Sequence, residues 1–418
     1  MKISRRNLIK SATAVGIVGA SKALFPSWMP NMAFANNFEK GHGDILITIF
    51  LRGGMDGLSV VAPYFEGSNY YDKRPTIALR EPETGASLEL DGRFSLHPAM
   101  TGLKELFDEK ALAIIHATGS TDPSRSHFDA MQFMEYGTPG NKTTSSGWLG
   151  RHLETTAWEN NSPFRAVGMG AIVAQSLRGA VPPLSLKSIS DFHYKGKESE
   201  FARLQASLNS IYNSQQSADI LDEQAKLVFE TIDILGKLNQ ADYRTTADYP
   251  DTDYGRGLKQ LAQLIKADLG LEVANIDLGG WDTHEQQGTV DGDFKILVEE
   301  LSNGLHAFYS DMGDKMKNIT IVVMSEFGRR VEENASQGTD HGHGNAMFVL
   351  GAGINGGKVY GDWPGLAKDS LDDGDLAITT DYRDVLSEIL TKRLLNSKIA
   401  KIFPDYEINS LGIAQARA

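Results

Sequence analysis

Asp44-Ile45-Leu46-Ile47-Thr48-Ile49-Phe50-Leu51, followed by Arg52-Gly53-Gly54-Met55-Asp56-Gly57-Leu58, decides the fold class. A β-branched apolar run ended by glycines predicts a strand covered on both faces, as in a parallel sheet. Asp56 stands just past its carboxyl end. Three later segments repeat the arrangement. Ala111 to Ala117 is predicted as a strand with Ser124-Arg125-Ser126-His127 after it, Leu271 to Leu278 as a strand with Asp282 and His284 after it, and Asn318 to Met324 as a strand with Glu326 and then Asp340, His341 and His343 after it. Helices are predicted between them. Thr121-Asp122-Pro123-Ser124 opens one that runs through Tyr136, Gly255 to Leu269 forms another, Asp291 to Lys317 contains a long amphipathic one, and Tyr382 to Asn396 closes the fold. Strands alternating with helices imply an α/β fold, a mostly parallel central sheet covered by helices on both faces. Ligands of such sheets bind outside the carboxyl ends of the strands, so topology would gather the four clusters at one edge.

The densest cluster is Gly338-Thr339-Asp340-His341-Gly342-His343-Gly344. A carboxylate and two imidazoles fall within four positions, among glycines that let the backbone turn around an ion. Mixed carboxylate and imidazole donors suit zinc first, with manganese, iron or calcium as other divalent candidates. Two such metals about 4 Å apart can clamp the attacking and leaving oxygens of an in-line displacement. Ser126 at a helix start is a candidate nucleophile, and Arg125 a candidate anion clamp. Each residue also has a plainer role. Asp56 after two glycines can be a turn former, Ser126 a helix cap, and Asp282 and His284 solvated residues before a helix. Glu326 can be a ligand or an ion-pair partner of Arg329 or Arg330, and His127 can pack in the core or orient a ligand. His97, His116 and His152 are expected to be structural.

The 418 residues, 41% apolar, suffice for a substantial core. Ser4-Arg5-Arg6-Asn7-Leu8-Ile9-Lys10, a short apolar stretch and Ala33-Phe34-Ala35 resemble a twin-arginine signal over 1–35, leaving a single domain over 36–418. The expectation is a periplasmic or extracytoplasmic protein handled by the twin-arginine export machinery, with no stable transmembrane segment unless the signal stays uncleaved. Residues 196–245 are predicted as a helical insertion or cap. The absence of cysteine excludes disulfides and a thiolate metal site. The signal holds five basic residues and no acid, so the net charge of −13 becomes −18 without it. Such acidity makes nucleic acid an unsuitable general partner.

Leu51 to Leu58, Arg125-Ser126-His127-Phe128, Gly279-Gly280-Trp281-Asp282-Thr283-His284, Ser325-Glu326-Phe327-Gly328-Arg329 and Thr339-Asp340-His341-Gly342 occur in order. They resemble the signature blocks of the exported bacterial family called domain of unknown function 1501, grouped by similarity with the alkaline phosphatase and sulfatase superfamily. The resemblance implies an alkaline-phosphatase-like fold, with Asp56, Asp282 and His284 as metal ligands and Ser126 as nucleophile. It also implies an anionic small-molecule or envelope-polymer substrate. The sequence departs from the superfamily pattern in several places. One residue rather than three separates Asp282 from His284, and Glu326-Phe327 stands where Asp-His is expected. Either Glu326 replaces a carboxylate and His341 or His343 is the final ligand, or Asp340-His341 is the displaced pair. Ser124-Arg125-Ser126 lacks the sulfatase formylglycine context. The expected function is hydrolysis or transfer of a phosphate or sulfate ester at one or two divalent metals. Its rivals are a non-catalytic metal-binding envelope or assembly protein, and a hydrolase of another bond that uses metal-activated water.

Overall fold

The computed structural model describes residues 43–191, 243–351 and 353–417, together with 228, 231, 232, 234–236 and 238. The predicted signal and most of the predicted 196–245 insertion lie outside the described residues. Within that insertion Val228, Ile232 and Leu235 are helical and buried in the core.

Twelve strands are described: β1 (Ile45–Leu51), β2 (Val61–Ala62), β3 (Leu88–Glu89), β4 (Ser95–Leu96), β5 (Leu112–Gly119), β6 (Ala166–Met169), β7 (Leu184–Leu186), β8 (Val273–Leu278), β9 (Ile319–Ser325), β10 (Asn345–Gly351), β11 (Lys358–Tyr360) and β12 (Thr380–Asp381). The main sheet runs β11-β5-β10-β9-β1-β8-β6-β7, with β12 also paired to β5. Its pairings are parallel except that β10 lies antiparallel to both β5 and β9.

Alternation within β1 builds both halves of the core. Leu46 and Phe50 enter one apolar cluster, with Val385, Leu386 and Ile389 of the helix Tyr382–Lys392. Ile47, Ile49 and Leu51 enter the other, with the helices Asp253–Lys266 and Gly292–Met312. A two-residue period sends neighbouring side chains to opposite faces. With both faces covered, the strand becomes the unbroken apolar run visible in the sequence. The helix Asp253–Lys266 begins where Thr252 Oγ1 accepts the Gly255 N–H, two residues before its predicted start.

Register aligns the edge that matters. Leu51 lies opposite both Leu278 and Ser325, so β1, β8 and β9 end at one level. The segments that follow them, 52–56, 279–284 and 326–329, therefore start side by side. β5 runs in the same direction as these strands, since both it and β9 oppose β10. The reversal of β10 brings its first residue, Asn345, back to that edge, opposite Thr118. Loop 326–344 thus leaves the edge and returns to it without a crossover helix.

The excursion between β1 and β5 contains a hairpin, β3–β4, to which β2 adds as a third strand. Among the described residues, no helix is long and apolar enough to cross a membrane.

Candidate metal centre

The helix His127–Tyr136 begins later than its sequence suggests, with Ser126 at its N-cap position. Asp122 Oδ1 accepts the Ser124 N–H at 2.9 Å and Ser124 Oγ accepts the Ser126 N–H at 3.2 Å. These side chain-to-backbone turns hold residues 122–126 outside the helix. They leave His127 as its first residue, at the carboxyl edge of the sheet.

Three imidazoles meet at that edge, each anchored through Nδ1. His127 Nδ1 donates to Glu326 Oε1 at 2.8 Å, His284 Nδ1 to Asp340 Oδ1 at 3.1 Å, and His341 Nδ1 to the Arg125 carbonyl at 2.8 Å. An oxygen acceptor at each Nδ1 places the ring proton there and leaves a lone pair on each Nε2. Those lone pairs converge. His341 Nε2 lies 2.9 Å from His127 Nε2 and 2.9 Å from His284 Nε2. Asp282 Oδ1 lies 3.0 Å from His284 Nε2, 3.1 Å from His341 Nε2 and 3.3 Å from His127 Nε2. The ligand atoms of His127, Asp282 and His341 all fall within 4.8 Å of one another. Spacings near 3 Å are those of atoms sharing one ion at about 2.0–2.1 Å. Four electron-rich atoms at this separation repel unless positive charge sits among them. The donor set therefore fits a divalent cation. Three nitrogens favour zinc, manganese or iron over calcium, which takes oxygen ligands.

The surroundings tune each group. The hydrogen bond that His127 donates to Glu326 raises the His127 pKa above its ordinary value, against burial. Burial lowers that of His341. Burial would raise the Asp282 carboxyl, but the Arg329 guanidinium and His341 outweigh it and hold the group well below the carboxylate range. Hydrogen bonds from His284 and Asn334 lower Asp340. The centre opens to solvent, with the Asp282 side chain 49% exposed.

Two glycines shape the approach. Gly53 and Gly54 have φ of 121° and 69°. A Cβ on Gly53 would meet the Asp282 nitrogen at 2.6 Å, and one on Gly54 the Phe327 ring at 2.6 Å. Only glycine lets these segments pass so closely.

Several expected ligands lie elsewhere. Asp56 does not join the centre: its fully buried carboxylate pairs with Arg74 at 2.6 Å and accepts from Ser59 and Gln287. Glu326 is neither an ion-pair partner of Arg329 or Arg330 nor part of the converging set. Its Oε1 also accepts the Gly53 N–H at 2.9 Å and its Oε2 the Ser325 hydroxyl at 3.0 Å, so it stands behind His127. Asp340 stands behind His284 in the same way. His343 turns aside, with Nε2 3.1 Å from the Ser120 carbonyl and Nδ1 3.0 Å from Asp372. Ser126 is exposed, and its hydroxyl has no hydrogen-bond partner among the described residues. The Arg125 guanidinium is held by Asp375.

Sequence reasoning missed Arg329 as a component of the centre. Its side chain is fully buried and donates to Asp282 Oδ1 at 2.6 Å. The available signal was an arginine four residues past a buried strand, beside glycine-rich segments whose carbonyls need donors. Arg74 carried no signal, being one charge in an irregular stretch.

Residues 44–399 match the family described as a protein of unknown function, DUF1501. The chain belongs to this family. No curated protein matches the sequence. Similar solved structures include PsFucS1 sulfatase from Pseudoalteromonas, at 9% identity over 91% of this chain and 74% of that one, TM-score 0.39. Another is the C-terminal periplasmic domain of EcEptC from Escherichia coli in complex with Zn, at 10% identity over 77% and 76%, TM-score 0.35. A third is the lipoteichoic acid synthase LtaP from Listeria monocytogenes, at 8% identity over 84% and 79%, TM-score 0.34.

Proposed function

We propose that this protein binds a divalent cation, zinc first, through His127, Asp282, His284 and His341, and there hydrolyses or transfers a phosphate or sulfate ester. The observation that carries this reading is the convergence of three Nε2 lone pairs and one carboxylate oxygen, each ring turned by its own Nδ1 acceptor. Bound there, the cation would supply Lewis acidity toward an ester oxygen. The chain's own residues hold the geometry. Glu326 and Asp340 orient His127 and His284 and keep their protons on Nδ1, and the Arg125 carbonyl does the same for His341. Solvent exposure of Asp282 leaves a side from which a substrate can enter. Ser126 would attack from the start of the helix, where the macrodipole favours an anion. The substrate would be an anionic small molecule or an envelope polymer, reached after twin-arginine export directed by residues 4–10.

A second reading, a metal-binding protein without turnover, is favoured by two observations. The Ser126 hydroxyl makes no side-chain cap bond and has no hydrogen bond to a base among the described residues. The guanidinium of Arg125 is already neutralised by Asp375. Elemental analysis of the purified protein, joined to a panel of p-nitrophenyl phosphates and sulfates, separates the readings. Bound metal with turnover that is lost in His341→Ala supports the hydrolase. Bound metal with no turnover supports the binder. No metal in a protein supplied with zinc defeats both.

A further inference from the structure

Resting on that cation-binding reading, we propose that Arg329 is a resident positive charge in the place of a second metal ion, so that the centre takes one ion only. The Arg329 side chain is fully buried, and its donors meet oxygens from three loops. Nε donates to Gly54 O at 2.6 Å and Nη1 to Thr339 O at 2.9 Å. Nη2 donates to Gly53 O, to Trp281 O at 3.0 Å and to Asp282 Oδ1 at 2.6 Å. Nη1 makes one longer contact, 3.4 Å to His284 Nε2. Four carbonyls and a carboxylate are the donors that a hard cation takes. Here they enclose a guanidinium, whose planar fork reaches all of them and cannot lose its proton. Burying that charge would be costly without its partners.

Asp282 joins the two positive positions. The same Oδ1 that receives Arg329 faces the imidazole nitrogens, so one carboxylate serves both the arginine and the ion. Each of the other nearby carboxylates already has a donor or a cationic partner. Arg74 neutralises Asp56, the Gly53 N–H, His127 and Ser325 use both Glu326 oxygens, and His284 and Asn334 share Asp340 Oδ1. Buried as it is, Arg329 acts through Asp282 and is a positioning residue.

Metal stoichiometry of the full chain tests this. After dialysis against excess zinc, elemental analysis is expected to find one ion per chain. Two ions would overturn the assignment of Arg329 and leave the histidine centre standing. No ion would overturn the cation-binding reading itself. Arg329→Ala supplies an independent arm, because it opens an oxygen-lined cavity of guanidinium shape. Methylguanidinium is expected to raise the thermal midpoint of folded Arg329→Ala and leave the wild type unmoved. A folded variant indifferent to it would overturn the proposal. If Arg329→Ala does not fold, Arg329→Lys decides: it keeps the charge and is expected to keep one ion, and two ions in it would be fatal.

Discussion

Asp56 and Asp282 have the same sequence setting and opposite fates. Each stands after an apolar strand and a Gly-Gly pair, and their strands, β1 and β8, are parallel neighbours that end level. Asp282 is 49% exposed and faces three imidazoles, while Asp56 is 0% exposed and faces Arg74. A strand-end aspartate is thus an offer of negative charge. The neighbour that tertiary structure brings decides whether it faces imidazoles or ties down a loop.

The contrast breaks most severely at the buried pair. Arg74→Met leaves the Asp56 carboxylate buried without its charge partner, and is expected to cost about 3–5 kcal/mol in denaturant unfolding. A loss under about 1 kcal/mol would mean that Asp56 is not sealed as described. The pH dependence has a definite sign. Burial would raise the Asp56 carboxyl, yet Arg74, Ser59 and Gln287 hold it below its ordinary value. Its stabilisation is therefore complete above the unfolded pKa of about 3.9 and fades as pH falls through the lower folded one. Asp56→Asn is expected to be less stable than wild type at neutral pH, with the gap closing below about pH 4.

The open centre is expected to respond in binding rather than in stability. His341→Ala removes the nitrogen that lies between the other two rings, and zinc affinity by calorimetry should fall by more than an outer-shell change costs. Glu326→Gln is such an outer-shell change, removing the charge behind His127. A loss of about 10–100-fold is expected; unchanged affinity would detach Glu326 from the centre. Protons and a bound cation would compete for His127 Nε2. Because Glu326 raises the His127 pKa, affinity should be full above that raised value and decline as pH falls through it, sooner than an ordinary histidine would dictate. In Glu326→Gln the decline should move to lower pH.

The smallest expected change is Ser126→Ala. With an exposed hydroxyl that makes no cap bond, stability should stay within about 0.5 kcal/mol of wild type. Its use lies in turnover: ester hydrolysis abolished by the change identifies Ser126 as the nucleophile, and hydrolysis that survives it excludes that role.

Much of this was legible in the chain. Ile45–Leu51 and Ile319–Ser325 read as buried strands because strands covered on both faces need apolar side chains throughout. His341 stands out in its dense glycine-flanked cluster, while Asp282 and His284 read equally as donors or as solvated residues before a helix. The sequence predicts too early a start for the helix that ends at Tyr136, because Asp122 and Ser124 look like caps but instead form turns that hold the chain out of the helix. Glu326 reads equally as a ligand or an ion-pair partner and Asp340 as a ligand, since a sequence does not distinguish a carboxylate among converging donor atoms from one that accepts from the far nitrogen of an imidazole.

The sequence alone determined the strand and helix alternation, the edge at which polar clusters gather, and most of the imidazole set, because periodicity and strand-end chemistry are local. Tertiary structure alone decided the reversal of β10, the sealing of Asp56 by Arg74, and the union of Asp282 with Arg329. Those outcomes depend on which distant groups the fold brings together, and a guanidinium that collects carbonyls from three loops has no signature in any one of them.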